Sequence, residues 1–179
     1  MRAMNEEKLQ KLAEYIKQYA RENNGESPRL ADIMEYMNMQ PTHVAQVAEL
    51  EIMCFSTPWS ENAIRGELTN PLSLWLVAMD GDKVAGYIGS QAVMGEADMM
   101  NVAVAPAYRR QGVAERLVVR LVEELATQAV SSITLEVRAS NAPAIALYEK
   151  LSFAQVGRRP NYYTKPKEDA LILRKEWSI

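Results

Sequence analysis

Residues 99–104 form an apolar run, residues 109–112 a basic turn with one glycine, and residues 113–128 a stretch of helical periodicity. A strand that passes through so short a turn into a helix commits the chain to a layered α/β arrangement. The first N–H groups of such a helix have no intrahelical partner and point at whatever lies in front of the turn. Gly112 has no Cβ to block a close backbone approach, and Arg109 and Arg110 add positive charge to the positive end of the helix dipole. Arg109-Arg110-Gln111-Gly112-Val113-Ala114 therefore reads as an anion cradle, and its expected guest is a phosphate or pyrophosphate.

The segments on either side supply the rest of the architecture. Residues 5–23 place Leu9, Leu12, Ile16 and Tyr19, with Ala13 and Ala20, on one face of an amphipathic helix. Asn23-Asn24-Gly25 stops it, and Ser27-Pro28 opens a second short segment over residues 29–37. The first 33 residues thus form a helical N-terminal extension, and residues 34–179 the main domain. The extension resembles the first two helices of LexA-like winged helix-turn-helix domains, without their recognition helix or wing. Residues 42–54 read as a helix with Val44, Val47, Ala48, Leu50 and Glu51 at helical spacing, and Ser60 caps another to about Asn70. Strands are expected over residues 72–79 and 83–94, joined by the hairpin turn Asp80-Gly81-Asp82, with a third ending near Ala105. Beyond the Gly112 helix come a strand over 133–138, a helix over 142–151, and strands over 153–163 and 169–177. This order predicts a mixed α/β (α+β) sheet, an antiparallel meander first and a helix crossover later.

Composition removes whole classes of function. With 179 residues, 48% hydrophobic and 24% charged, the chain suits one domain with an appendage and can bury a core, so disordered and fibrous classes drop out. A net charge of −3 argues against a protein that coats nucleic acid. No apolar run approaches the roughly 18 residues needed to span a bilayer, and the N-terminus has no apolar signal core, so a cytoplasmic location is expected. One cysteine, Cys54, excludes an intrachain disulfide, and one histidine, His43, removes most zinc, Ser-His and Cys-His sites. No metal is expected, and acid–base chemistry falls to Glu, Asp, Tyr, Lys or water. Cys54 is far in sequence from the Gly112 turn, and no covalent enzyme intermediate is expected.

Neither G-x-x-x-x-G-K-[ST] nor a helix-opening G-x-G-x-x-G is present. The run from Met99-Met100-Asn101-Val102-Ala103-Val104 through Tyr108-Arg109-Arg110-Gln111-Gly112-Val113-Ala114 instead resembles the acetyl-CoA signature of the GNAT acetyltransferases, whose phosphate turn reads Q/R-x-x-G-x-G/A. Leu135-Glu136-Val137-Arg138-Ala139-Ser140-Asn141, followed by Ala144-Ile145-Ala146-Leu147-Tyr148-Glu149-Lys150-Leu151-x-Phe153, resembles the second half of that family. Phe55-Ser56-Thr57-Pro58-Trp59-Ser60 and Arg158-Arg159-Pro160-Asn161-Tyr162-Tyr163 are similar to its RimI-type subgroup, which acetylates the N-terminal alanine of a small-subunit ribosomal protein. The resemblance spans about residues 34–177. It implies a GNAT fold, acetyl-CoA as co-substrate and a protein N-terminus as acceptor, with nucleic acid and membrane not expected as partners. The extension lies outside it, its role is open, and Met34 is a second candidate translation start.

Residue by residue, the resemblance assigns roles that the local pattern leaves open. By alternation, Ile133, Leu135 and Val137 share one strand face, and Thr134, Glu136 and Arg138 the other, where a solvated glutamate is the ordinary occupant. The resemblance makes Glu136 the general base. An α-amine with a pKa near ~8 is mostly protonated at neutral pH, and only its neutral form attacks a thioester. Tyr148 shares a helical stripe with Ala144 and Leu151, which also suits a packing tyrosine; the resemblance turns its phenol toward the CoA sulfur, as thiolate stabiliser first and proton donor second. Asn141 suits an N-cap, and by resemblance also a pantetheine contact. Val102, Ala103 and Val104 fit a core strand, and by resemblance offer backbone groups to pantetheine and an amide to the thioester oxygen. Arg110, Gln111, Gly112, Val113, Ala114 and Glu115 are where it seats the pyrophosphate. Ser152 replaces the glycine usual after the Tyr148 helix, and Met99 and Met100 lie beside the expected peptide groove. Acetylation of other N-termini, lysine or small amines, and a non-catalytic acetyl-CoA-sensing module, are the alternatives.

Overall fold

The computed structural model describes residues 6–178. Helix α1 (Glu6–Glu22) ends as its stop signal predicts: Asn24 and Gly25 take positive φ, and the Gly25 N–H reaches the Ala20 carbonyl at 2.7 Å. The segment over 29–37 divides where its pattern predicts one element. A single turn, α2 (Leu30–Ile33), gives way to strand β1 (Glu35–Asn38). The strand exists because Glu35 to Asn38 pair antiparallel with Met79 to Leu76, a tertiary partnership that four residues cannot announce on their own.

Helices α3 (Val44–Cys54) and α4 (Glu61–Glu67) follow, the latter capped by the Ser60 hydroxyl, which accepts from the Ala63 N–H at 3.2 Å. The meander β2 (Ser73–Asp80), β3 (Lys83–Val93) and β4 (Glu96–Val104) leads into α5 (Val113–Thr127). Strand β5 (Ser132–Arg138), helix α6 (Ala142–Lys150) and the hairpin β6 (Ala154–Thr164) and β7 (Lys167–Glu176) complete the chain. The seven strands form one mixed sheet in the order β1-β2-β3-β4-β5-β7-β6.

A core lies on each face of that sheet. On one, α5 buries Val113, Leu117, Val118, Leu121 and Leu125 against Leu76, Ile88, Ile133 and Leu135. Each leucine so buried contributes about 2 kcal/mol of transfer free energy. On the other face, α3 and α4 pack Val44, Val47, Leu50 and Ile64 against Trp75, Val77 and Tyr87. Gly89 of β3 keeps this second core close, since a Cβ there would stand 2.5 Å from the Trp75 ring.

Strand β4 departs from regular pairing in two places. Its parallel pairing with β5 covers only Glu96, Ala97 and Asp98 against Ser132, Ile133 and Thr134; beyond that the strands diverge. Its register against β3 jumps from Ser90–Met99 to Gly89–Asn101, leaving Met100 as a bulge. Side-chain alternation reverses there. Ala97 and Met99 face the α5 core, but beyond the bulge Val102 and Val104 take that side, while Asn101 and Ala103 turn toward α3.

Candidate active site

A cleft of about 420 Å³ opens where β4 and β5 part, and it gathers residues from both halves of the chain. Met99, Asn101 and Val102 line it from β4, and Leu135, Glu136 and Arg138 from β5. Asn141 and Tyr148 join from the α6 region, with Tyr162 and Tyr163 from β6.

Glu136 sits on its strand as alternation predicts: Ile133, Leu135 and Val137 are buried, and Glu136 is half-buried on the cleft. Its carboxylate pairs with Arg159, Nη1 to Oε1 at 3.3 Å. The neighbouring Arg138 is held against the Tyr163 ring, 4.0 Å from its centroid, and donates to the Lys165 and Pro166 carbonyls. Arg138 is thus occupied, and Arg159 is the cation on Glu136.

Tyr148 is 5% exposed, packed at 5.5 Å on the Phe153 ring, with its hydroxyl 3.8 Å from the Met99 thioether. Sulfur is a weak acceptor, so the phenol O–H keeps most of its capacity for a better one. Burial, and secondarily Tyr163, pushes its pKa up. A phenol shifted in that direction stays protonated at neutral pH and serves as a hydrogen-bond donor, while full proton transfer becomes harder.

Asn141 caps α6, its side chain accepting from the Ala144 N–H at 3.3 Å, and also reaches the cleft. Val102, Ala103 and Val104 pair with Ile88, Tyr87 and Gly86 on the β3 side of their strand and have left β5 on the other. The Val104 carbonyl accepts from Arg109 Nε at 3.0 Å. Arg109 therefore turns back along β4, its second contact being the Cys54 sulfur at 3.4 Å, instead of presenting its charge in front of the turn. Cys54, distant in sequence from the motif, lines the cleft all the same.

The turn itself has the conformation its residues suggest. Gly112 caps α5 at φ 84°, and Arg110 before it is also left-handed at φ 62°. The first amide of α5 to find a carbonyl is that of Arg116, bonded to Gly112 at 3.0 Å. The amides ahead of it, those of Gly112, Val113, Ala114 and Glu115, are the ones a helix start leaves for an outside acceptor, which fits a pyrophosphate. Glu115 faces two cations, Lys150 at 2.8 Å and Arg29 at 3.1 Å. The hydrogen bond from Lys150, then the charge of Arg29, holds its carboxyl below the usual range.

Beneath the cleft lies a network that the sequence pattern only hints at. Glu51 is fully buried, accepting from the Tyr87 hydroxyl, from Asn101 Nδ2 at 2.6 Å and from the Trp59 N–H at 2.9 Å. It ties α3, the loop entering α4, β3 and the far side of the β4 bulge into one unit. The signal for it is a glutamate on the apolar stripe of α3. Ser152 takes φ 66°, the left-handed region that the family glycine occupies without cost. Among the described residues no three His, Cys, Asp or Glu side chains cluster to hold a metal ion, and no helix is long and apolar enough to cross a membrane.

A helix-terminal anion cradle fed by a strand that diverges from its neighbour, with a carboxylate and a protonated phenol in the resulting cleft, defines a group-transfer enzyme for a phosphate-bearing donor. The chain belongs to the acetyltransferase (GNAT) family, whose model matches residues 44–153. It is 37% identical over 138 residues to the [ribosomal protein bS18]-alanine N-acetyltransferase of Escherichia coli K12, covering 76% of this chain and 93% of that one. It is 38% identical over 138 residues to the Salmonella typhimurium protein of the same name, covering 75% and 92%. Its fold is similar to the crystal structure of the ribosomal-protein-S18-alanine N-acetyltransferase from E. coli, with a TM-score of 0.76, 35% identity, and 82% and 95% of the two chains covered. Arabidopsis thaliana NAA60, solved in complex with acetyl-CoA, shares the fold at a TM-score of 0.74 and 17% identity, over 80% and 98% of the chains.

Proposed function

We propose that this protein transfers the acetyl group of acetyl-CoA to the N-terminal alanine of ribosomal protein bS18, by direct attack of the amine in a ternary complex. The observation that carries the reading is the opening of Glu136 and Tyr148 onto one cleft between β4 and β5. Likeness to the E. coli and Salmonella enzymes supports the acceptor. In this reading residues 34–179 are the acetyltransferase domain and residues 1–33 an extension ahead of it. The enzyme works in the cytoplasm, where ribosomes are.

Each group then has one task. The Glu136 carboxylate takes the proton from the acceptor's α-ammonium, in exchange for its pairing with Arg159, and releases the neutral nucleophile. A β4 amide within Val102, Ala103 and Val104 donates to the oxygen that gains charge as the amine adds, a stabilisation worth about 3 kcal/mol in comparable sites. The Tyr148 hydroxyl donates to the departing thiolate. The Gly112 turn, with Arg110, Gln111, Val113 and Ala114, holds the donor's pyrophosphate, and Asn141 its pantetheine arm. Glu115 stands beside that seat as an anion neutralised by Lys150 and Arg29.

The test is acetylation of a peptide carrying the bS18 N-terminus, followed by mass spectrometry. Glu136→Gln is expected to lower kcat by ~10²-fold or more. Glu136→Gln combined with Tyr148→Phe is expected to keep CoA binding and lose transfer. Unchanged turnover in the double variant sinks the mechanism, and transfer to lysine or small amines in preference to the peptide sinks the acceptor. Tight CoA binding with no transfer to any amine identifies a sensing module.

A further inference from the structure

We infer that Arg29, in the segment ahead of the family-matched residues 44–153, is a ligand for the phosphates at the nucleotide end of CoA. The inference rests on the reading of the Gly112 turn as the cofactor's phosphate seat. Arg29 lies against that turn: its Nη1 stands 3.0 Å from where a Cβ on Gly112 would be. The glycine's open side is thus covered by a guanidinium brought from 83 residues upstream, as the numbers 29 and 112 give by subtraction.

The segment that carries it is docked. The Ala31 N–H donates to the Gln111 carbonyl at 3.3 Å, and Ala31 is 1% exposed, in the core beneath α5. Tyr36 donates its hydroxyl to the Ala31 carbonyl at 2.9 Å. Asp32 fixes the guanidinium from one side, accepting from Nε at 3.3 Å and Nη2 at 3.4 Å, and Glu115 accepts from Nη1 at 3.1 Å. A guanidinium has five N–H donors. Three are engaged by these carboxylates, which leaves one each on Nη1 and Nη2, and the side chain is 46% exposed. Two carboxylates hold the group in place and cancel its charge locally, so its contribution to an anion is directional: the two remaining N–H donors, held beside the Gly112 turn.

Calorimetric titration of the full-length protein with CoA, and with pantetheine, which carries no phosphate, tests this. Arg29→Ala is expected to weaken CoA binding on the order of tenfold, the loss of a charge-assisted contact at a half-exposed site. Pantetheine affinity is expected to stay as it is, and the melting temperature of the free protein to fall only slightly with the loss of the Asp32 and Glu115 pairs. Arg29→Lys restores part of the loss, because it returns N–H donors without the fixed fork. Equal CoA affinity in Arg29→Ala overturns the inference, as does an equal loss toward pantetheine, which marks general support of the turn. Tighter CoA binding also overturns it, by marking Arg29 as a plug. Failure of the unaltered protein to bind CoA instead removes the cofactor reading beneath it.

Discussion

Helices α1 and α5 carry comparable amphipathic stripes and end differently. Leu117, Leu121 and Leu125 of α5 are fully buried against the sheet, whereas Leu9 and Ile16 of α1 remain 48% and 37% exposed. The stripe declares a helix and a face; it says nothing of what covers that face. Helix α5 follows β4 after a short turn, which drops its stripe onto the sheet it has just left. Helix α1 is separated from β1 by Gly25, Pro28 and the single turn of α2, and it is from that connection that Arg29 and Ala31 bond to Glu115 and Gln111 of the domain. The extension is therefore docked at its end, while the stripe of α1 stays partly open to solvent.

The largest test of this contrast is Leu121→Ala, expected to cost about 3 kcal/mol in denaturant unfolding, because a core leucine leaves a cavity. Ile16→Ala in α1, by the same measurement, is expected to stay within about 0.5 kcal/mol. Equal costs break the contrast. The glycines sharpen it. Gly112→Ala forces a left-handed alanine and drives its Cβ against Arg29, and should lose about 1–2 kcal/mol together with CoA affinity. Gly25→Ala, also left-handed but with open space around it, should lose about 1 kcal/mol and leave CoA affinity unchanged. The smallest expected effect is on acid stability. The Glu115 carboxyl is held below its usual range, so its contribution is present above the unfolded-state value of about 4 and is lost as pH falls through the lower folded-state value. Glu115→Gln should flatten that acid limb of the denaturant midpoint. An unchanged limb means that the Arg29–Glu115 clamp adds nothing to stability.

What can be read from residues alone depends on the range of the interactions involved. The β5 alternation around Glu136, the left-handed glycine at 112, and the caps Ser60 and Asn141 are local, and each stands where its neighbours dictate. Strand β1 is hidden from such a reading because its evidence is a partner some forty residues away. Arg109 departs from the anion-cradle expectation because its side chain prefers a carbonyl on its own strand and a sulfur on α3 to the space ahead of the turn. The Glu51–Asn101 bond, the approach of Cys54 to the cleft and the reach of Arg29 join residues 50 or more apart, where periodicity has nothing to report.

The bulge at Met100 governs how this strand tolerates changes of length. Loss of one codon there would remove only the extra residue, making Met99 and Asn101 neighbours in regular alternation and leaving every later side chain of β4 on its present face. A codon lost one place further on, at Asn101, has the other effect: it takes away the amide that the buried Glu51 carboxylate accepts from, and a methionine is left to fill its place. The slack of this strand is one residue, and it lies at 100.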